Sequence, residues 1–146
     1  MAKRNTGAIN HVKSNYDGKE FKSKLELFCY KLLKDSNIDF SYEGESFVLE
    51  QSFTHVGRYG KKGTKSFAVK DKHHVREITY TPDFVSHKHK FIIETKGFVP
   101  SQHSFHIRFK LFLKHLAKNN MGEYAVYIPR NQGDVKLVVQ DILSRK

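Results

Sequence analysis

Two β-forming runs, Ile78 to Val85 and Lys90 to Lys96, flank a short loop centred on Lys88-His89, and the second contains the unbroken apolar stretch Phe91-Ile92-Ile93. The runs predict a strand pair, and the apolar stretch predicts a core strand instead of a surface one. The pair constrains the fold because the loop sets its register. A symmetric even-length loop with that centre places Asp83 opposite Glu94. Directly opposed residues have Cβ atoms about 4.5–5.5 Å apart, a separation at which like charges are destabilising. Alternate strand residues share a face, so Lys96 joins Glu94 while Ile93 and Thr95 point the other way. A hard divalent cation such as Mg²⁺ offsets the repulsion, since it prefers carboxylate oxygens and can bridge to a phosphate. The bland alternative is a solvated hairpin in which Lys96 merely neutralises Glu94, worth ~0.2–1 kcal/mol.

The rest of the chain supplies elements to pack around that pair. Apolar residues recur at helical spacing from Glu20 to about Ser36, through Phe21, Leu25, Phe28, Cys29, Leu32 and Leu33, with Asn37 as the stop. Glu26 lies at the edge of that apolar stripe, where a carboxylate is half-buried and needs a partner. Lys22 and Tyr30 are the nearby candidates. Short strands are expected over Ile38 to Tyr42 and Ser46 to Phe53, flanking a turn at Glu43-Gly44-Glu45. Thr54 to Arg76 reads as a basic loop or long hairpin. A second helix follows Ser101 to about Asn119, then a strand at Tyr124 to Ile128 and a last helix capped by Asp134. The order predicts an α/β chain with a central mixed β-sheet flanked by helices. Residues 1–18 read as a flexible basic arm, and residues 19–146 as one domain carrying a basic insertion at about 54–76.

Charge narrows the partners. Lys and Arg number 26 against 15 Asp and Glu, a formal net charge of +11 with a pI near 9.7, so the surface field attracts polyanions. Cys29 is the single cysteine, which excludes an internal disulfide and a cysteine-based zinc site. No segment has the roughly 20 apolar residues of a membrane span, so no membrane partner is expected. A cytoplasmic location, in a bacterium or a phage-infected host cell, is the expectation. The pairs His73-His74 and His87-Lys88-His89 invite a metal reading, but no cysteines accompany them.

Glu26 on a helix, then Tyr80-Thr81-Pro82-Asp83-Phe84, then Glu94-Thr95-Lys96-Gly97, resembles the PD-(D/E)XK nuclease superfamily. Spacing and flanks are most similar to phage Holliday-junction resolvases of the endonuclease I type. Ser23-Lys24-Leu25-Glu26 and Ile38-Asp39-Phe40-Ser41-Tyr42-Glu43 also match, so the similarity spans Ser23 to Gly97. The resemblance implies a restriction-endonuclease-like fold and Mg²⁺-dependent hydrolysis of phosphodiester bonds, with Mn²⁺ as the alternative ion. It implies that Asp83, Glu94 and the backbone carbonyl of Thr95 bind metal. Glu26 would bind a second metal or its water, and Lys96 would be the catalytic lysine. Lys22, Arg58, Lys61, Lys62, Arg108 and Lys110 are the expected DNA contacts. The expected activity is a structure-selective endonuclease cutting branched DNA as a homodimer, since paired incisions need two active sites. The alternatives are a nuclease of the same superfamily acting on other DNA or on RNA, and a basic DNA-binding module without turnover. The long insertion at Thr54 to Arg76 departs from the phage resolvases.

Overall fold

The computed structural model describes residues 13–96 and 103–145. Among these, the chain is mixed α/β, with three helices and strands divided among several small sheets instead of one continuous sheet. The largest sheet has four strands: β3 (Ser41–Tyr42), β10 (Phe84–Ser86), β11 (Phe91–Ile93) and β12 (Ala125–Tyr127), in the order β12-β11-β10-β3. β11 and β12 run parallel and the other pairs antiparallel. The register of β10 on β11, Phe84 with Ile93 and Ser86 with Phe91, is the one expected from the loop.

Strand alternation divides the core in two. Phe84, Phe91 and Ile93 pack against Cys29, Tyr30 and Leu33 of helix α1 (Lys24–Asp35) and against Val135, Val138, Val139 and Ile142 of helix α3 (Gln132–Ser144). Val85 and Ile92 pack against Phe109, Phe112 and Leu116 of helix α2 (His103–Lys118). No helix among the described residues is long and apolar enough to cross a membrane.

Helix α1 starts four residues later than expected because Ser23 caps it, its Oγ accepting from the Glu26 N–H at 3.1 Å. It ends as Asn37 enters the left-handed region (φ 55°), with Asn37 N–H donating to Lys34 O and Ile38 N–H to Leu33 O, a Schellman closure. The cap of α3 is Asn131, whose Oδ1 accepts from the Asp134 N–H at 2.8 Å. Asp134, the expected cap, instead reaches back from the first turn to accept from the Arg130 N–H.

The flexible arm expected over residues 1–18 lies outside the described residues as far as residue 12. The remainder is structured: β1 (Ser14–Tyr16) and β2 (Lys19–Phe21) form a hairpin. Its turn, Asp17-Gly18, has positive φ at both residues, the requirement of a tight two-residue turn. Asp17 then accepts from Tyr30 Oη at 2.6 Å and Lys34 Nζ at 2.7 Å, tying the hairpin to α1.

The segment from Phe47 to Tyr80 is a two-stranded antiparallel ribbon, so of the two readings of Thr54 to Arg76 the long hairpin is the one found. β4 (Phe47–Glu50) pairs with β9 (Ile78–Tyr80), β5 (Phe53–His55) with β8 (His73–Val75), and β6 (Tyr59–Lys62) with β7 (Phe67–Lys70). The expected continuous strand Ile78 to Val85 is therefore split. Pro82 lacks an N–H, and the break at Thr81-Pro82-Asp83 sends Ile78–Tyr80 to the ribbon and Phe84–Ser86 to the four-stranded sheet. The expected strand Ser46 to Phe53 likewise divides between β4 and β5, and Ile38 to Tyr42 contributes only Ser41–Tyr42. Phe47 and Tyr80 anchor the ribbon base on Phe112, with ring centroids 5.2 and 4.7 Å from it.

Candidate active site

Asp83 stands between the ribbon and β10 and is held from two sides. Its backbone carbonyl accepts from the Glu43 N–H at 2.8 Å. Its carboxylate Oδ2 accepts from both the Thr95 N–H, at 2.8 Å, and the Thr95 hydroxyl, at 2.6 Å. Thr95 can do this because N–H groups alternate along extended chain. Those of Glu94 and Lys96 turn to the other edge and donate to Tyr127 O and Pro129 O, each at 3.0 Å.

Glu94 and Lys96 share a face as expected: Lys96 Nζ lies 3.2 Å from Glu94 Oε2. The other carboxylate oxygen of Glu94 accepts from Tyr80 Oη at 2.6 Å. Lys96 also sits 4.3 Å above the Phe105 ring, so the start of α2 and the acid beside it fix its ammonium. Glu26 is buried in the first turn of α1, and its partner is neither Lys22 nor Tyr30 but Tyr42, which donates to Oε2 at 2.5 Å.

The tightest carboxylate group differs from the expected set. Oxygens of Glu26, Glu43 and Asp83 all lie within 4.8 Å of one another, and Glu94 faces the same cleft with its oxygens engaged by Tyr80 and Lys96. Glu43 occupies the turn after β3 in a left-handed conformation (φ 48°), and Lys22 Nζ lies 3.5 Å from it. The cleft is about 550 Å³ and is lined by Lys22, Glu26, Glu43, Asp83, Glu94, Thr95, Lys96 and Arg108, with Thr79, Tyr80 and Thr81 from the ribbon base.

The electrostatics follow from burying so many acids together. Burial, then Glu94 and Glu26, hold the Asp83 carboxyl well above its ordinary range, against the lowering effect of the Thr95 hydrogen bonds. Burial also raises Glu26, against the Tyr42 hydrogen bond. Glu43 raises the Lys22 ammonium. Burial, with Asp83 and Glu26 nearby, pushes the Cys29 thiol up, so it stays protonated and inert beneath the site. Tyr42 and Tyr80 are raised by burial and by their carboxylate partners, which keeps both hydroxyls as donors.

Of the residues singled out from sequence, Glu26, Asp83, Glu94, Thr95, Lys96, Lys22 and Arg108 meet in this one cleft. Lys110 does not: it lines an adjoining pocket of about 430 Å³ with His106, Phe109 and Arg130, which shares Lys96 and Phe105 with the cleft. Arg58, Lys61 and Lys62 lie out on the ribbon, where Arg58 pairs with Asp71 at 2.9 Å. Sequence reasoning did not single out Glu43, Tyr42 or Tyr80. A turn acid reads as solvated, and only the pairing of Tyr42 with Phe84 brings it to Asp83. No family model, curated protein or solved structure matches the chain.

Proposed function

We propose that the chain is a metal-dependent DNA endonuclease of the PD-(D/E)XK kind, with a restriction-endonuclease-like fold and branched DNA as its substrate. The observation that carries this reading is the convergence of Asp83, Glu94, Lys96 and Glu26 on one cleft of a strongly basic chain. The four-stranded mixed sheet, with α1 and α3 against one face and α2 against the other, supports the fold assignment.

The cleft residues fit a hard divalent cation. Their charged donors are carboxylates, and the upward shift of Asp83 comes from burial first and then from Glu94 and Glu26, whose like charge a cation would relieve. Asp83, Glu26 and Glu43 would hold Mg²⁺ or Mn²⁺, with Glu94 beside them. When bound, such an ion polarises a phosphate oxygen and lowers the pKa of a coordinated water. The protein's own groups do the rest. Tyr80 and Lys96 fix the Glu94 carboxylate. The Lys96 ammonium, held over Phe105, supplies positive charge for the phosphate oxygens as water adds to phosphorus and the bond to the leaving oxygen breaks. Arg108 and Lys22 line the cleft, where they would pair with flanking phosphates. A homodimer would bring two such clefts to one junction.

The test is a panel of labelled substrates, a four-way junction against linear duplex, nicked duplex and RNA, incubated with Mg²⁺ at low salt. Junction cleavage that Asp83→Ala abolishes is expected, falling steeply as salt rises. An intact junction, with wild type and Asp83→Ala indistinguishable, would overturn the reading. Preferred cleavage of another substrate would keep the nuclease and reassign its target.

Tyr80 gives a narrower prediction. Tyr80→Phe keeps the ring on Phe112 but removes the donor to buried Glu94. Loss of such a supporting hydrogen bond costs about 10–100-fold in activity. We expect kcat to fall by that amount with KM little changed, and an unchanged kcat would separate Tyr80 from the chemistry.

A further inference from the structure

From residue 51 to residue 79 every residue is exposed except Tyr59, His73 and Val75, so the outer ribbon packs on almost nothing but itself. A two-stranded hairpin of this kind is marginally stable in water by itself. Two local contacts stiffen it. Tyr59 and His73 stack with centroids 3.8 Å apart and planes 2° from parallel. Phe67 lies across Gly60, where an added Cβ would meet the ring at 2.7 Å.

Its charge is one-sided. Between Gln51 and Thr79 the cations are Arg58, Lys61, Lys62, Lys65, Lys70, Lys72 and Arg76, and the acids are only Asp71 and Glu77. Arg58 already engages Asp71. The register Tyr59 with Lys70 and Lys61 with Ala68 places Tyr59, Lys61 and Lys70 on one face, joined by His73 through its stack on Tyr59. Burial first, then Lys70 and Lys61, lower the proton affinity of His73, so both ammonium groups act on its imidazole. A cationic face of this kind attracts a polyanion.

We propose that the ribbon is an arm that lies along duplex DNA, with Lys61 and Lys70 directed at its phosphates, and that it engages the duplex beyond the cleft. A two-stranded β-ribbon fits the roughly 12 Å width of the B-DNA major groove. Thr79, Tyr80 and Thr81 at its base line the cleft, so the arm departs from the candidate active site itself. From Tyr80 to the turn at Gly63–Ser66 the chain passes through β9, β8 and β7, a reach of at most ~45 Å at about 3.3 Å per residue. That span equals ~13 base pairs at about 3.4 Å each. Duplex binding stands without catalysis, and only the placement of the arm relative to a cut rests on the nuclease reading.

The experiment measures binding of the full chain to fluorescein-labelled duplexes from about 8 to about 24 base pairs, by anisotropy in EDTA, with single strands of equal length as the second arm. Affinity is expected to rise with duplex length and level off beyond ~13 base pairs. Lys61→Ala with Lys70→Ala should weaken long-duplex binding about tenfold and reduce the salt slope by about 2, while Lys61→Arg with Lys70→Arg retains it. Affinity equal in wild type and the alanine variant, or independent of duplex length, or stronger for single strands, would overturn the proposal. So would a change in oligomeric state accompanying the alanine substitutions, which would mark the ribbon as a contact between copies of the chain. Because no metal is present, failure here is distinguishable from failure of the cleavage assay.

Discussion

Asp83→Asn protein, freed of divalent cations at neutral pH, is expected to melt at a higher temperature than wild type and to cleave nothing. The wild-type carboxyl is buried beside Glu94 and Glu26, and all three are acids. An asparagine keeps an oxygen for the two Thr95 donors and turns an amide toward the neighbouring carboxylates. The gain should be about 0.5–2 kcal/mol, the usual size of a stabilising substitution that sacrifices function. The pH dependence fixes the sign. Asp83 and Glu26 have folded-state affinities for protons above their unfolded values, so the folded protein binds more protons than the unfolded chain. Metal-free wild type therefore loses stability as pH rises from the ordinary carboxylate range to the raised folded values. Asp83→Asn should flatten that decline, leaving the part due to Glu26. Mg²⁺ at about 100 times its Kd should restore about 2.7 kcal/mol to wild type and much less to the variant. Thermal denaturation with and without Mg²⁺ checks all of this. A metal-free variant less stable than wild type would mean that the Thr95 hydrogen bonds to the ionised carboxylate outweigh the repulsion.

Lys96→Ala should leave duplex binding nearly intact and reduce the cleavage rate by about 10²–10³-fold, the loss typical of removing one preorganised group from a developing charge. Lys96 is one of 26 cations, which is why binding tolerates its loss. Of the other cations lining the cleft, Lys22 is engaged by Glu43 and Arg108 is assigned to flanking phosphates, so neither is placed to replace it beside Glu94. Single-turnover cleavage with binding measured in parallel separates the two effects. A variant cutting at the wild-type rate would remove Lys96 from the mechanism and leave it as a partner of Glu94.

How much of this was legible in the sequence depends on how far apart the cooperating residues lie. Asp83 and Glu94 flank one short loop, and a symmetric loop centred on Lys88-His89 gives the register found, Phe84 with Ile93. Glu26 was legible because helical period places it at the edge of an apolar stripe. Tyr42 and Glu43 were not, since their approach needs β3 to pair with a strand about 40 residues later. The Asp17-Gly18 hairpin carried its own turn signal, yet the polar residues around it hid the strands. The ribbon was legible only as one of two alternatives, loop or long hairpin: its strands are ordered by pairing and two ring contacts instead of burial, so no apolar alternation decided between them. The split at Pro82 follows from one missing donor, in a run whose side chains read as continuous strand.

The ribbon's independence from the core leaves its length free to vary. Adding two residues to each strand inserts a rung pair, keeps Tyr59, Lys61 and Lys70 on their face, and moves no carboxylate. Adding one residue to each would turn the outer cations over to the opposite side. A lineage with this architecture can thus change its reach in even steps while its reactive centre stays untouched, and odd steps invert what the arm presents.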